Sequence, residues 1–271
     1  VIVSPFEHSA VRETAALMAA ETMGWEGESL TGSEGHDLAA LMAVCNETGR
    51  TFAPKEAYRF GERVLSDMTQ ALGKIPVDAS EVEFATFSAH KIFGPKGVGA
   101  LVRGPYESYK PLMTGGGQES GYRSGTLNVP GIVGFGAAAE LAINEREARW
   151  SHATRLRKIV LDGLSNLSDL KINGGKEAVP HILSLSFLGL EGETLVLEAD
   201  AAGFAISAGA ACSAGSNAPS PAILAEGLPT DWARGTVRLA FGPTNSDESA
   251  HDLAKILRRT AQSLRTMRKV A

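Results

Sequence analysis

The sequence predicts an α/β protein of two domains, one spanning 1–145 and the other 146–271. Three observations predict it. Short apolar or β-rich runs alternate with helical periodicity in both halves of the chain, the pattern of strands covered by helices. The 271 residues exceed one compact domain of about 150 residues. From Val129 to Leu167 an alanine-rich and then charged stretch reads as a long helix or helix pair bridging the two.

In chain order, Val1-Ile2-Val3 reads as a buried strand. Val11, Ala15, Met18 and Thr22 then share one helical face, ending at Gly24. Gly24 to His36 holds four glycines and reads as a loop. Ala40 to Val44 is a short apolar run, expected as a buried strand, and Lys55 to Phe60 a short helix. Val64 to Ser66 reads as a strand ending at Asp67. Val82 to Ser88 and Gly97 to Val102 read as neighbouring strands across a Gly-Pro turn. In the second half, Ile182 to Phe187 alternates as a strand, and Glu191 to Ala202 reads as a helix closed by Gly203. Phe204 to Ser207 and Thr236 to Phe241 are further strands. A last helix starts near Asn245, which with Glu248 makes a capping box, and lines Leu253, Ile256, Leu257 and Leu264 along one stripe. Its basic end reads as a solvated face with charge suited to a helix C-terminus; a patch for a partner is the other reading.

Composition narrows the function. Hydrophobic residues at 44% and charged ones at 21% exclude a mainly disordered chain. A net charge of −5 argues against nucleic acid and anionic membrane as partners. No apolar run is long enough to span a bilayer. Two cysteines, Cys45 and Cys212, make no disulfide framework, which points to a reducing cytoplasm, and no Cys or His spacing suits zinc.

Four places carry chemistry. Lys91, in Ser88-Ala89-His90-Lys91, falls at the carboxyl end of a strand, where α/β crevices form. His90 and Lys96 beside it should depress its amine toward the neutral form that makes Schiff bases; an ordinary surface lysine is the alternative. Cys212 sits in a run of small residues between strand and helix, where a thiolate can reach out, although a small filler residue is also possible. Cys45 lies in an apolar run and reads as core. Arg238 takes the polar side of its strand, opposite Val237, Leu239 and Phe241; its fork suits a substrate carboxylate, and a structural ion pair is the alternative. Gly115 to Thr126 is a glycine-rich polar loop able to offer Ser124, Thr126 and backbone amides to an anion, and Asp67 offers a carboxylate in a polar cluster.

These segments resemble the cysteine desulfurase family, pyridoxal-phosphate enzymes of fold type I within the class V aminotransferases. The motifs are Glu7-His8, Asn46-Glu47-Thr48-Gly49, Asp67-Met68-Thr69-Gln70, Ser88 to Lys91 with Gly94-Pro95-Lys96-Gly97, Gly115 to Thr126, Ala211-Cys212 and Val237-Arg238, in family order over nearly the whole chain. The loop after Cys212 is similar to that of the branch holding the housekeeping and nitrogen-fixation desulfurases.

The resemblance implies a mainly parallel sheet in a cofactor-binding large domain over 1–145 and a smaller α/β domain over 146–271 carrying the cysteine loop. It implies pyridoxal 5'-phosphate held covalently by Lys91, with Asp67 on the ring nitrogen, His8 stacked on the ring, and Gln70 and Asn46 around its phenolic oxygen. Ser88 and His90 would hold the phosphate, joined by Thr126 of the other subunit of a homodimer. Arg238, with Asn46, would grip the carboxylate of L-cysteine, and Cys212 would take its sulfur as a persulfide for an acceptor or scaffold protein in iron–sulfur or thio-cofactor assembly. The family carries a phosphate-cradling turn ahead of the Glu-His motif, so the sequence is expected to be a fragment or a reduced variant, with the stretches flanking Asn46 also trimmed. Two alternatives stay open: another class V reaction such as that of a selenocysteine lyase, and a non-catalytic homologue that binds sulfur-transfer partners.

Overall fold

The computed structural model describes residues 1–209 and 219–270. The chain opens with β1 (Ile2–Val3), α1 (Ser9–Ala16), β2 (Glu21–Thr22), β3 (Gly24–Glu26), β4 (Ser29–Thr31) and β5 (Ala39–Ala40). There follow β6 (Val64–Asp67), β7 (Phe84–Ser88), β8 (Gly99–Arg103), α2 (Val129–Asn144) and α3 (Arg146–Leu164). The second half holds β9 (Leu170–Ile172), β10 (Ile182–Phe187), α4 (Gly192–Ala201), β11 (Ser207–Ala208), α5 (Pro221–Ala225), α6 (Thr230–Ala233), β12 (Thr236–Ala240) and α7 (Asp247–Val270).

The first six-stranded sheet has the order β2-β1-β5-β6-β7-β8. All its pairings are parallel except β7 with β8. Parallel strands are covered on both faces, which is why β1 and β5 are short, wholly apolar and buried. Ile2, Leu41, Ala43, Val64 and Ala85 form the core on one side, together with Val179 and Ile182 from the second half of the chain.

The second sheet has the order β11-β12-β10-β9 and is antiparallel throughout. All six residues of β10 are buried, though two are serines. Leu183, Leu185 and Phe187 pack with Leu156, Val160 and Leu164 of α3, Leu195 of α4, and Leu253 and Leu257 of α7. Ser184 and Ser186 point the other way into a buried polar network. The Asn173 amide donates to their hydroxyls at 3.0 and 2.9 Å, and Ser186 meets the Thr236 hydroxyl at 2.7 Å. The Asn173 side-chain oxygen stays buried without a partner. Among the described residues no helix is long and apolar enough to cross a membrane.

Several elements differ from expectation. The first helix stops at Ala16 rather than running past Thr22, because Ala19 turns left-handed (φ 51°) and Glu21–Thr22 pairs beside β1. Sheet hydrogen bonds outweigh a helical periodicity that continued by coincidence. The expected loop from Gly24 contains the β3–β4 hairpin, closed by Gly27 and Glu28, both at positive φ (53° and 67°) as a type I′ turn needs. The strand expected at Ala40–Val44 is β5, Ala39–Ala40, so only Ala40 of it joins the ladder, although Leu41 and Ala43 still donate to Leu65 and Asp67 at 3.0 Å. The strand expected at Phe204–Ser207 lies at Ser207–Ala208, and the final helix is capped by Ser246 and Ser249, not Asn245 and Glu248. Each of the two serine N–H groups donates to the other's hydroxyl at 3.1 Å, while the Asn245 side-chain Oδ1 accepts from Gly242 N–H at 2.7 Å. The helix pair expected across Val129–Leu167 is α2 and α3.

Candidate active site

Because β1, β5, β6 and β7 run in one direction, the residues at and after their carboxyl ends gather along one edge of the sheet. His8 follows β1, Asn46 follows β5, Asp67 closes β6 with Gln70 just beyond, and Ser88 closes β7. His90 and Lys91 lie in a 3-10 turn, Ala89–Ile92, that continues from β7 and ends where Phe93 turns left-handed (φ 69°). The edge thus collects seven of the residues expected there.

Their side chains are largely unengaged. His8 caps α1, its Nδ1 accepting from Ala10 N–H at 3.1 Å. Asp67 uses one oxygen, accepting from Thr69 N–H at 2.9 Å. Among the described residues no hydrogen bond or ion pair engages the Lys91 ammonium, the Ser88 hydroxyl, the His90 ring or the Asn46 amide. An amine, a half-buried carboxylate on the adjacent strand, a hydroxyl and two imidazoles form a donor set that suits an aldehyde-bearing, phosphorylated pyridine ring: the amine for the aldehyde, the carboxylate for the ring nitrogen, hydroxyl and imidazole for the phosphate.

Arg238 reaches this edge from the second sheet. Its Nη1 donates to the Asn46 carbonyl oxygen at 2.9 Å and its Nη2 to the Ser207 hydroxyl at 3.4 Å, so its direct partners are neutral oxygens rather than a carboxylate. The nearby acid is Glu47. Burial pushes its carboxyl up, opposed by the Ser220 hydroxyl and the Arg238 and Arg12 guanidiniums, and its Oε2 is buried without a partner. Gly49 lets the 45–49 turn press on the second sheet. It sits at φ 76°, and a Cβ there would come within 3.2 Å of Ile182. Its carbonyl accepts from Val179 N–H at 2.8 Å.

Sequence reasoning assigned no role to three further groups. Glu7 is buried, accepts from Met42 N–H at 2.6 Å through Oε1, and leaves Oε2 without a partner. Burial pushes its carboxyl up to about 8, against the Met42 hydrogen bond and with help from the Asp67 charge. Lys74 donates to the Gln70 side-chain oxygen at 2.6 Å, and burial, then Lys91 and Arg149, push its ammonium down to about 7. Glu47 is the third. Glu7 and Glu47 each belong to a motif, so their presence was readable, but their burial was not. His90 is also lowered, chiefly by desolvation and then by Lys91 and Lys96.

Of the two other expected residues, one is described and it is not brought to the edge. Thr126 is exposed in the stretch before α2, with no hydrogen bond to the group, and Cys212 lies outside the described residues. Cys45 is fully buried, as expected of core, and its thiol is pushed up to about 11 by desolvation.

Residues 28–253 match the sequence profile of the aminotransferase class-V family. The chain is 40% identical over 240 residues to cysteine desulfurase IscS of Anaeromyxobacter dehalogenans, covering 85% of this chain and 59% of the relative. It is 39% identical over 236 residues to cysteine desulfurase IscS 1 of Archaeoglobus fulgidus, covering 85% and 62%. The chain therefore spans about three fifths of the length of these curated relatives. A solved NifS-like protein superposes with a TM-score of 0.83 at 31% identity, over 96% of this chain and 74% of that one. The NifS-like protein of Rickettsia africae shares the fold at a TM-score of 0.83 and 20% identity, over 96% and 75%.

Proposed function

This chain belongs to the aminotransferase class-V family, and we propose that it works as a cysteine desulfurase, releasing sulfur from L-cysteine and leaving L-alanine. The observation that carries this reading is the unengaged Lys91 amine in the turn after β7, at the same sheet edge as the Asp67 carboxylate that ends the neighbouring β6. The names of the relatives, cysteine desulfurases, agree with it.

The group these residues fit is pyridoxal 5'-phosphate, which when bound supplies an electron sink for charge developing at a substrate α-carbon. Lys91 would carry it, Asp67 would hold its ring nitrogen, Ser88 and His90 its phosphate, and His8, Asn46 and Gln70 its ring. Thr126, exposed here, would serve the site of a second copy in a homodimer.

The chain's own residues then divide the work. Lys91 takes the proton from the α-carbon and returns one. Arg238, fixed by Asn46 and Ser207, presents its remaining donors to the substrate carboxylate. The Cys212 thiolate attacks the substrate sulfur, the carbon–sulfur bond breaks, and the sulfur remains on Cys212 as a persulfide until an acceptor protein takes it. A protein with these chemical needs fits the cytoplasm.

The test is absorbance of the purified chain with added pyridoxal phosphate, beside Lys91→Ala, followed by sulfide and alanine release beside Cys212→Ala. A visible band lost in Lys91→Ala, and sulfide release lost in Cys212→Ala, are the expected results. Undiminished sulfide release by Cys212→Ala overturns the reading.

A further inference from the structure

A cleft opens between the turns that follow β6 and β7, the start of α3, the residues leading into β10 and those that follow β12. Its basic groups are Lys74, Lys91, Arg146, Arg149, His152 and His181, and among the described residues no Asp or Glu lines it. Of the cofactor set only Lys91 touches it; His8, Asn46, Asp67, Ser88 and His90 do not.

We propose that this cleft is a binding site for a small oxyanion, a phosphate or a carboxylate. Converging cations repel one another, and inside a protein that repulsion is relieved by deprotonation or by a bound anion. Both signs of strain are present. Lys74 is partly buried and has one hydrogen-bond partner, Gln70, for three ammonium protons. His181 lines the cleft with its Nε2 buried and unpartnered. Its ring is held well below the ordinary imidazole value by burial, then by Lys74 and by Arg157, whose guanidinium donates to the Ile182 carbonyl behind it.

The remaining donors face the same space. Arg146 has no ion-pair partner among the described residues. Arg149 gives Nε and Nη2 to Glu145 at the rim, at 3.0 and 2.7 Å, and keeps Nη1. His152 is committed, its Nε2 to the Asn245 carbonyl at 3.0 Å and its Nδ1 to Arg155. Phe93, Trp150 and Phe241 wall the cleft, so an anion there meets its donors in a setting drier than open surface, where charge-assisted hydrogen bonds count for more.

The probe is inorganic phosphate, followed by acetate, added to the chain with its histidine rings isotopically labelled for NMR. His181 is assigned by its absence in His181→Gln. Phosphate should raise the His181 midpoint by about one unit. Arg146→Ala, a change at the rim that leaves the core intact, should weaken the apparent phosphate affinity about tenfold. Acetate acting like phosphate assigns the site to carboxylates generally; phosphate acting alone assigns it to phosphates. A response confined to His90 would place the anion among the cofactor residues and overturn the proposal, as would an unmoved His181 or an Arg146→Ala response equal to the parent's. None of these readouts depends on cofactor loading or cysteine turnover.

Discussion

Glu7→Gln should flatten the pH dependence of stability. The folded chain holds the Glu7 carboxyl at about 8, against 4.5 for an ordinary one. Between those values the folded state binds a proton that the unfolded state has released, so stability falls as pH rises. At about 1.4 kcal/mol per unit the loss reaches about 3 kcal/mol by pH 7 and about 4 kcal/mol by pH 8. Glutamine is neutral throughout and its Oε1 can still accept from Met42 N–H; any cost of its extra N–H is the same at every pH. Lys74 and His181 titrate in both proteins, so the difference between the two curves isolates Glu7. Urea unfolding of parent and variant, at about pH 5 and about pH 8, should show the variant gaining several kcal/mol relative to the parent on going to the higher pH. Parallel curves would mean that Glu7 ionises normally in the fold and that its burial is relieved in a way the hydrogen bonds do not reveal.

Arg50→Met should cost about 3–5 kcal/mol. It strands the Glu226 carboxylate, only 6% exposed, which now takes Arg50 Nε and Nη2 at 2.9 and 2.6 Å. Adding Glu226→Gln should recover part of that loss in urea unfolding. Gly49→Ala should cost about 1–3 kcal/mol, from the positive φ and the approach to Ile182, seen as a lower unfolding midpoint with unchanged circular dichroism. Ser246→Ala should cost about 1 kcal/mol in the same assay by removing the hydroxyl that accepts from Ser249 N–H.

What could be read from the sequence depended on whether a signal was local. The alternation of Ile182 to Phe187 is complete within six residues, and its strand appears with those bounds. Lys91 and Asp67 were readable because each combines a reactive group with the end of a strand. The shortened first helix was not, since what stops it is β1, twenty residues earlier in the chain and meaningful only once paired. The β3–β4 turn uses Gly-Glu, a weaker hairpin sign than Asn-Gly. The capping pair is Ser-Ser, where the sequence offered Asn and Glu one position away. Glu7, Glu47 and Lys74 owe their altered ionisation to burial by distant segments, a property that no window of sequence contains.

The two sheets also differ in when a growing chain can complete them. Every strand of the first sheet lies between residues 2 and 103, so its ladder can pair while later residues are still being made. The second core needs α7, the last element, packed on α3 and α4. Until α7 emerges, Leu156, Val160, Leu164 and Leu185 stand against solvent, a surface for chaperones to hold. Lys91 is thus presented before Arg238, the arginine proposed to hold the substrate carboxylate. A nascent chain stalled short of residue 236 would display Lys91 and Asp67 with no Arg238 opposite them.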